Sequence, residues 1–226
     1  MNGLPGIYLT WTESAELMTV FLRYQVYRRT LGQGDADWVA LARGRITDRG
    51  LTFYQDYTVA AGVTYEYAVT QITEVGGEEV ESAFPTAVQA TATFSQLYVH
   101  DVAAPQNYAN LMAQAQQVEP VQEIAYLQPF SRTVPSARVG NVLQTVYRAS
   151  LKGQWDHSAG ELAREQWDAL MTLLARQRDA GAVLCIRQGS GLRFFGVMEA
   201  PRRSDESASQ FQEEVRFREV HYTEAG

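Results

Sequence analysis

Three histidines, one cysteine and several adjacent carboxylates are the residues of this chain whose types could do catalytic or metal chemistry. His100, His157 and His221 stand far apart, and none has a second His or Cys at ligand spacing. A catalytic zinc needs about three protein ligands converging on one ion. Asp156-His157-Ser158 holds the residue types of a hydrolytic triad, but consecutive positions cannot place three groups around one substrate. Ser158 with Glu161 three residues later fits a helix capping box instead. Cys185 lies between Leu184 and Ile186. A nucleophilic thiolate needs an electropositive, partly open setting, so this pattern predicts a small core hydrophobe. Gly189-Ser190-Gly191 lacks the Lys-Ser/Thr of a phosphate loop and precedes a strand, which predicts a plain turn. Glu78-Glu79 and Glu213-Glu214 are strand neighbours, and strand neighbours point to opposite faces. They do not make the facing pair that glycoside hydrolysis requires. Asp48, Asp56 and Asp101 lack the spacing of a calcium loop. The residues therefore assign no catalytic group, no cofactor and no metal ligand.

The elements that must position these side chains are mostly strands. The chain has 226 residues, 46% of them hydrophobic and 20% charged, the composition of an ordinary globular protein of one or two domains. A net charge of −7 argues against general nucleic-acid binding, which needs clustered Lys and Arg. The single cysteine excludes an internal disulfide. Met1–Gly6 lacks the basic and apolar regions of a signal peptide. No run reaches the ~18 apolar residues of a membrane span.

Ile7–Trp11, Leu22–Tyr27, Trp38–Ala42, Phe53–Val59, Val63–Ile72 and Val80–Phe84 read as short strands separated by turn signals, the pattern of a β-sandwich. Residues 85–93 are small and polar, and a boundary is placed near Thr93. Phe94–His100 opens the second half as a strand. Asn107–Gln117 reads as an exposed arm or short helix, Val121–Leu127 as a strand, and Asn141–Trp155 as a long strand. A helix follows Ser158, with Leu162, Trp167, Leu170, Met171, Leu173 and Leu174 at helical spacing and Gly181 as its stop. Val183–Arg187 and Leu192–Met198 then form a hairpin. Pro201–Ser209 reads as a mobile loop and Gln210–Tyr222 as a final strand, with a change of phase that predicts a bulge near Glu219.

The first of these runs resembles a fibronectin type III domain over roughly residues 6–92. Leu9-Thr10-Trp11 matches that family's strand B, Tyr24–Arg28 its strand C, Ala60–Val69 the E–F corner with Tyr65 as the corner tyrosine, and Gly76-Gly77 through Ser82 the F–G hairpin. The match departs from the family in one respect: too few residues precede strand B to hold strand A. Strand A is either missing or supplied from elsewhere, including another chain.

The second half, roughly residues 120–224, is similar to a domain of siphophage minor or distal tail proteins. The likeness is carried by Tyr126–Gly140, the long strand into Leu151-Lys152-Gly153, the helix ending at Ala180-Gly181, Val183–Val197 and Val215–Tyr222. The resemblance implies a mainly β protein: a fibronectin type III-like sandwich over 1–93 and, over 94–226, a split β-barrel-like domain with one packed α-helix and an extended arm at about 98–140. It implies a structural virion protein of a tail tip, baseplate or distal tail ring, assembled in the host cytoplasm. Its partners would be copies of itself, in a threefold or sixfold ring, and other tail proteins. The alternatives are a module that recognises a host glycan or protein, which exposed aromatics near Trp38 would favour, and a carbohydrate-active enzyme with an accessory module. Tyr98, Tyr108, Tyr126 and Phe130, in the irregular middle region, are candidate interface anchors or equally a satellite core beneath a long loop. Tyr98–Gly140 and Pro201–Gln210 are candidate inter-subunit arms.

Overall fold

The computed structural model describes residues 3–17, 19–111, 115–122, 126–127, 136–137, 145–154, 160–199, 202–207 and 210–225. Two compact units are present. One comprises Met1–Gln96, Arg187–Arg193 and Tyr222–Gly226; the other comprises Leu97–Ile186 and Phe194–His221. The main chain thus returns twice to the first unit, where the sequence suggested a single boundary near Thr93.

The first unit contains β1 (Ile7–Thr10), β2 (Phe21–Thr30), β3 (Val39–Ile46), β4 (Phe53–Asp56), β5 (Thr64–Val75), β6 (Glu78–Glu81) and β7 (Val88–Thr91). β1 and β4 pair antiparallel, with Ile7 opposite Asp56. The others form a five-stranded sheet in the order β3-β2-β5-β6, with β7 also on β5. Alternation explains the core: Ile7 and Leu9 from one sheet meet Tyr24, Val26, Leu41, Tyr65 and Tyr67 from the other, all buried. Trp11 packs edge-on against Tyr24 at 5.3 Å between ring centroids. The Ala60 N–H donates to the Tyr65 hydroxyl at 3.1 Å, the local bond of a tyrosine corner. Gly76 and Gly77 both have positive φ, +63° and +87°, which the two-residue turn between β5 and β6 requires. At Gly44 a Cβ would stand 2.6 Å from the Val26 Cβ, so the irregular β2–β3 pairing needs glycine there. Among the described residues no third strand joins β1 and β4. Residues 85–93 supply β7 and so complete the sandwich.

The second unit contains β8 (Leu97–Asp101), β9 (Tyr108–Leu111), β10 (Ala115–Gln122), β11 (Tyr126–Leu127), β12 (Ser136–Ala137), β13 (Thr145–Gln154), α1 (Gly160–Ala180), β14 (Leu184–Gln188), β15 (Arg193–Met198), β16 (Arg202–Ser207) and β17 (Gln210–Glu219); the turn joining β14 to β15 belongs to the first unit. An eight-stranded sheet runs β10-β13-β17-β15-β14-β8-β9, with β16 also on β17. β11 and β12 pair separately. α1 packs on β9. It buries Leu170 and Leu173 completely, as their helical spacing predicts. Gly181, at φ +63°, follows its last turn. Gln177 fastens α1 to β15, donating to the Met198 carbonyl at 2.8 Å and accepting from its N–H at 2.6 Å.

Three expectations are corrected here. Asn107–Gln117, expected as an exposed arm or a short helix, instead contributes to β9 and β10, because Ala109 and Leu111 alternate into the core and local helix preference yields to strand pairing. Pro201–Ser209 is not a loop throughout, since β16 pairs with β17 from Arg202 to Ser207. The irregularity expected near Glu219 lies instead in β16, between Asp205 and Ser207; β17 ends at Glu219. The protein is mainly β with α1 as the sole α-helix among the described residues. Among those residues no pairing joins β9 to β10, and the large sheet is open rather than a closed barrel. No described helix is long and apolar enough to cross a membrane.

Candidate functional site

In β2, Tyr24 and Val26 face the core, and the same period places Arg28 inward. Its side chain is 6% exposed and meets the fully buried Asp56 at the end of β4, Nη1 to Oδ2 at 2.6 Å. Tyr67 donates to the same oxygen at 2.9 Å. The Thr58 N–H donates to Asp56 Oδ1 at 2.9 Å, a tight local turn that ends β4. Arg28 Nη2 donates to Glu224 Oε2 at 2.6 Å. Arg193 donates to that oxygen at 3.0 Å and to the Thr58 carbonyl at 2.7 Å. The Thr58 hydroxyl lies 2.9 Å from Asp56 Oδ1 and 2.5 Å from Glu224 Oε1; with one proton it donates to one at a time.

Two guanidinium groups and two carboxylates therefore share one buried seam. Burial opposes the Asp56 anion, but the Arg28 guanidinium and the Thr58 donors outweigh it and hold the carboxyl below its ordinary range. Burial likewise opposes the Arg28 cation, and Asp56 and Glu224 more than offset it. Burial and then Asp56 push the Tyr54 and Tyr67 phenols up. These shifts hold Asp56 and Arg28 in their charged forms and Tyr54 and Tyr67 in their neutral ones.

The opposite face of the sheet carries a different set. The Arg29 guanidinium lies 4.5 Å over the Trp38 ring and pairs with Glu66 and Asp35, both at 2.7 Å. Phe84 packs on Tyr27 and Trp38, with ring centroids 4.7 and 5.6 Å apart. Tyr27 donates to Glu81 at 2.8 Å, and burial followed by that carboxylate raises its pKa to about 12. Beside this stack a surface cavity of about 440 Å³ is lined by residues including Arg29, Gln33, Asp37, Trp38, Arg193 and Glu224.

The residues named from sequence are distributed otherwise. Tyr98 lies in β8, is 5% exposed and belongs to the core of its unit, where the Asn110 amide donates to its hydroxyl at 3.5 Å. Tyr108 is half-buried in β9, opposite His100. Tyr126 contributes backbone to β11, and Phe130 lies outside the described residues. The candidate arm of Tyr98–Gly140 accordingly begins as β8, β9 and β10 rather than as a loop. His100 and Cys185 are buried, and His221 is exposed. His157 and Ser158 lie outside the described residues. Among those residues no three His, Cys, Asp or Glu side chains are grouped to hold a metal ion. No protein-family model matches the chain, and no curated protein matches it either.

Sequence reasoning assigned no site role to Arg28, Arg193 or Glu224 and weighed Asp56 only as a calcium ligand. One signal was available: Arg28 continues the inward phase of Tyr24 and Val26, and a charge in core phase requires a buried partner. Which carboxylates answer it cannot be read from spacing.

Proposed function

We propose that this chain is a structural protein of a siphophage tail, part of a tail tip, baseplate or distal ring, and works by assembling with copies of itself and with other tail proteins. It would be built in the host cytoplasm and carried in the virion, in a closed threefold or sixfold ring and without catalysis. Closed symmetry lets one interface repeat without open-ended growth. The observation that carries the reading is the combination of a fibronectin-like sandwich with an open sheet. That sheet ends in β10, eight residues long and paired on one side only among the described residues. A strand of that length presents main-chain donors and acceptors suited to a neighbouring subunit. The Trp38–Phe84–Tyr27 face favours a second reading, recognition of a host glycan or protein, because Phe84 is 46% exposed and the cavity adjoins Trp38.

Immunogold labelling of intact virions, with negative-stain microscopy of the chain co-expressed with the products of neighbouring tail genes, tests the first reading. Label at the tail end and rings of defined symmetry are the expected result; absence from virions overturns it. Under the second reading, antibodies against the sandwich block adsorption; under the first alone they leave it unchanged.

A further inference from the structure

β3 is the end strand of the five-stranded sheet: one side pairs with β2. Its other side is not bare. The Ala42 N–H donates to the Glu224 carbonyl at 2.9 Å, and Leu41 forms an antiparallel bridge with Ala225. The segment Tyr222–Ala225 therefore meets that edge through one bridge and one main-chain hydrogen bond. The Glu224 side chain turns inward, 14% exposed, to Arg28, Arg193 and the Thr58 hydroxyl. Thr58 follows β4, so one residue is bound by its main chain to one sheet and by its carboxylate to the other. The sequence separation is large: 196 residues between Arg28 and Glu224 and 166 between Thr58 and Glu224. Loop closure over such distances gives the segment no local reason to lie there; the acceptor must select it.

We propose that the seam between β3 and the end of β4 is an acceptor site for an extended, glutamate-bearing peptide. In the folded chain Tyr222–Ala225 occupies it, and on release it takes the same segment from a second copy. The recognition elements are few: the Ala42 N–H for the main chain, and Arg28, Arg193 and Thr58 for the carboxylate. A second copy is the occupant the chemistry favours, because its segment presents the same glutamate in the same frame. The tethered segment competes at high effective concentration, which keeps the edge closed until the tether is displaced and guards it against indiscriminate strand addition. The inference draws on the assembly reading only for its use in a tail, since its test needs nothing but the purified chain.

The chain ending at His221 is titrated by calorimetry with a synthetic peptide of residues 218–226. It binds the peptide, the intact chain does not, and the peptide with Glu224→Gln binds about tenfold more weakly, because a charge-assisted pair becomes a neutral contact. Equal binding of the two peptides, or none by a folded truncated chain, overturns the proposal. Should truncation unfold the sandwich, hydrogen exchange on the full-length Glu224→Gln chain decides: the Ala42 amide exchanges faster than in the parent while the β2–β5 ladder is unchanged. An unaltered Ala42 rate refutes the acceptor site.

Discussion

Arg28 and Arg29 are consecutive in β2 and lead opposite lives. Arg28 points between the sheets and meets the fully buried Asp56, and at the edge of the surface cavity the partly exposed Glu224. Arg29 points outward, stacks on Trp38 and pairs with Glu66 and with Asp35, whose side chain is 96% exposed. The same guanidinium does different physical work in the two places. Inside, two charges have surrendered their hydration, so each depends on the other for compensation. Outside, water and salt already solvate the Asp35 carboxylate, and that contact adds little, while Glu66 is partly shielded where Arg29 stacks on the ring of Trp38. The pleat of a strand, one residue's advance, separates the two regimes.

Breaking the inner pair should have the largest effect. Asp56→Ala leaves Arg28 buried without its main partner and should lower unfolding stability by about 3–5 kcal/mol in urea denaturation. Replacing Arg28 by Met and Asp56 by Leu together should recover most of that loss. A double variant as unstable as the single one would show that the seam acts through shape rather than charge.

The next effect is pH dependence. The Asp56 pKa is lower folded than unfolded, so its stabilisation is present above the unfolded value of ~3.9 and is lost as pH falls through the folded one. Unfolding midpoints should therefore drop on acidification below about pH 5, and Asp56→Asn should flatten that limb. A limb as steep in Asp56→Asn as in the parent would assign the acid sensitivity elsewhere.

The smallest effect belongs to the outer face. Arg23 and Glu79 form a bidentate pair, both bonds 2.7 Å, with Glu79 more than half exposed. Changing both to Gln should leave the unfolding midpoint within experimental scatter. Any difference seen at low ionic strength should vanish near 1 M salt, where the Debye length is ~3 Å. A salt-resistant loss would erase the distinction between the faces.

Much of the first unit was legible because its signals are local. The tyrosine corner joins residues five apart, Ala60 and Tyr65, and the Gly76-Gly77 turn takes two. The helix over Gly160–Ala180 was legible because Leu170 and Leu173 repeat at its period. β9 and β10 were not, because their small and amide residues carry no strong period and acquire strand geometry from their partners β8 and β13. β16 is polar along its length and is a strand because β17 lies beside it.

The candidate site divides in the same way. Alternation in β2 decided from sequence alone that Arg28 faces the core, as helical period decided the buried stripe of α1. It did not decide what answers that charge. Asp56, 28 residues on, and Glu224, 196 residues on, are brought to Arg28 only by the pairing of whole strands and by the chain's return along β3. Side-chain direction is set by backbone geometry over a few residues and is written locally. A charge partner is set by the cooperative closure of distant segments, and no residue carries a record of it until the sheets have formed.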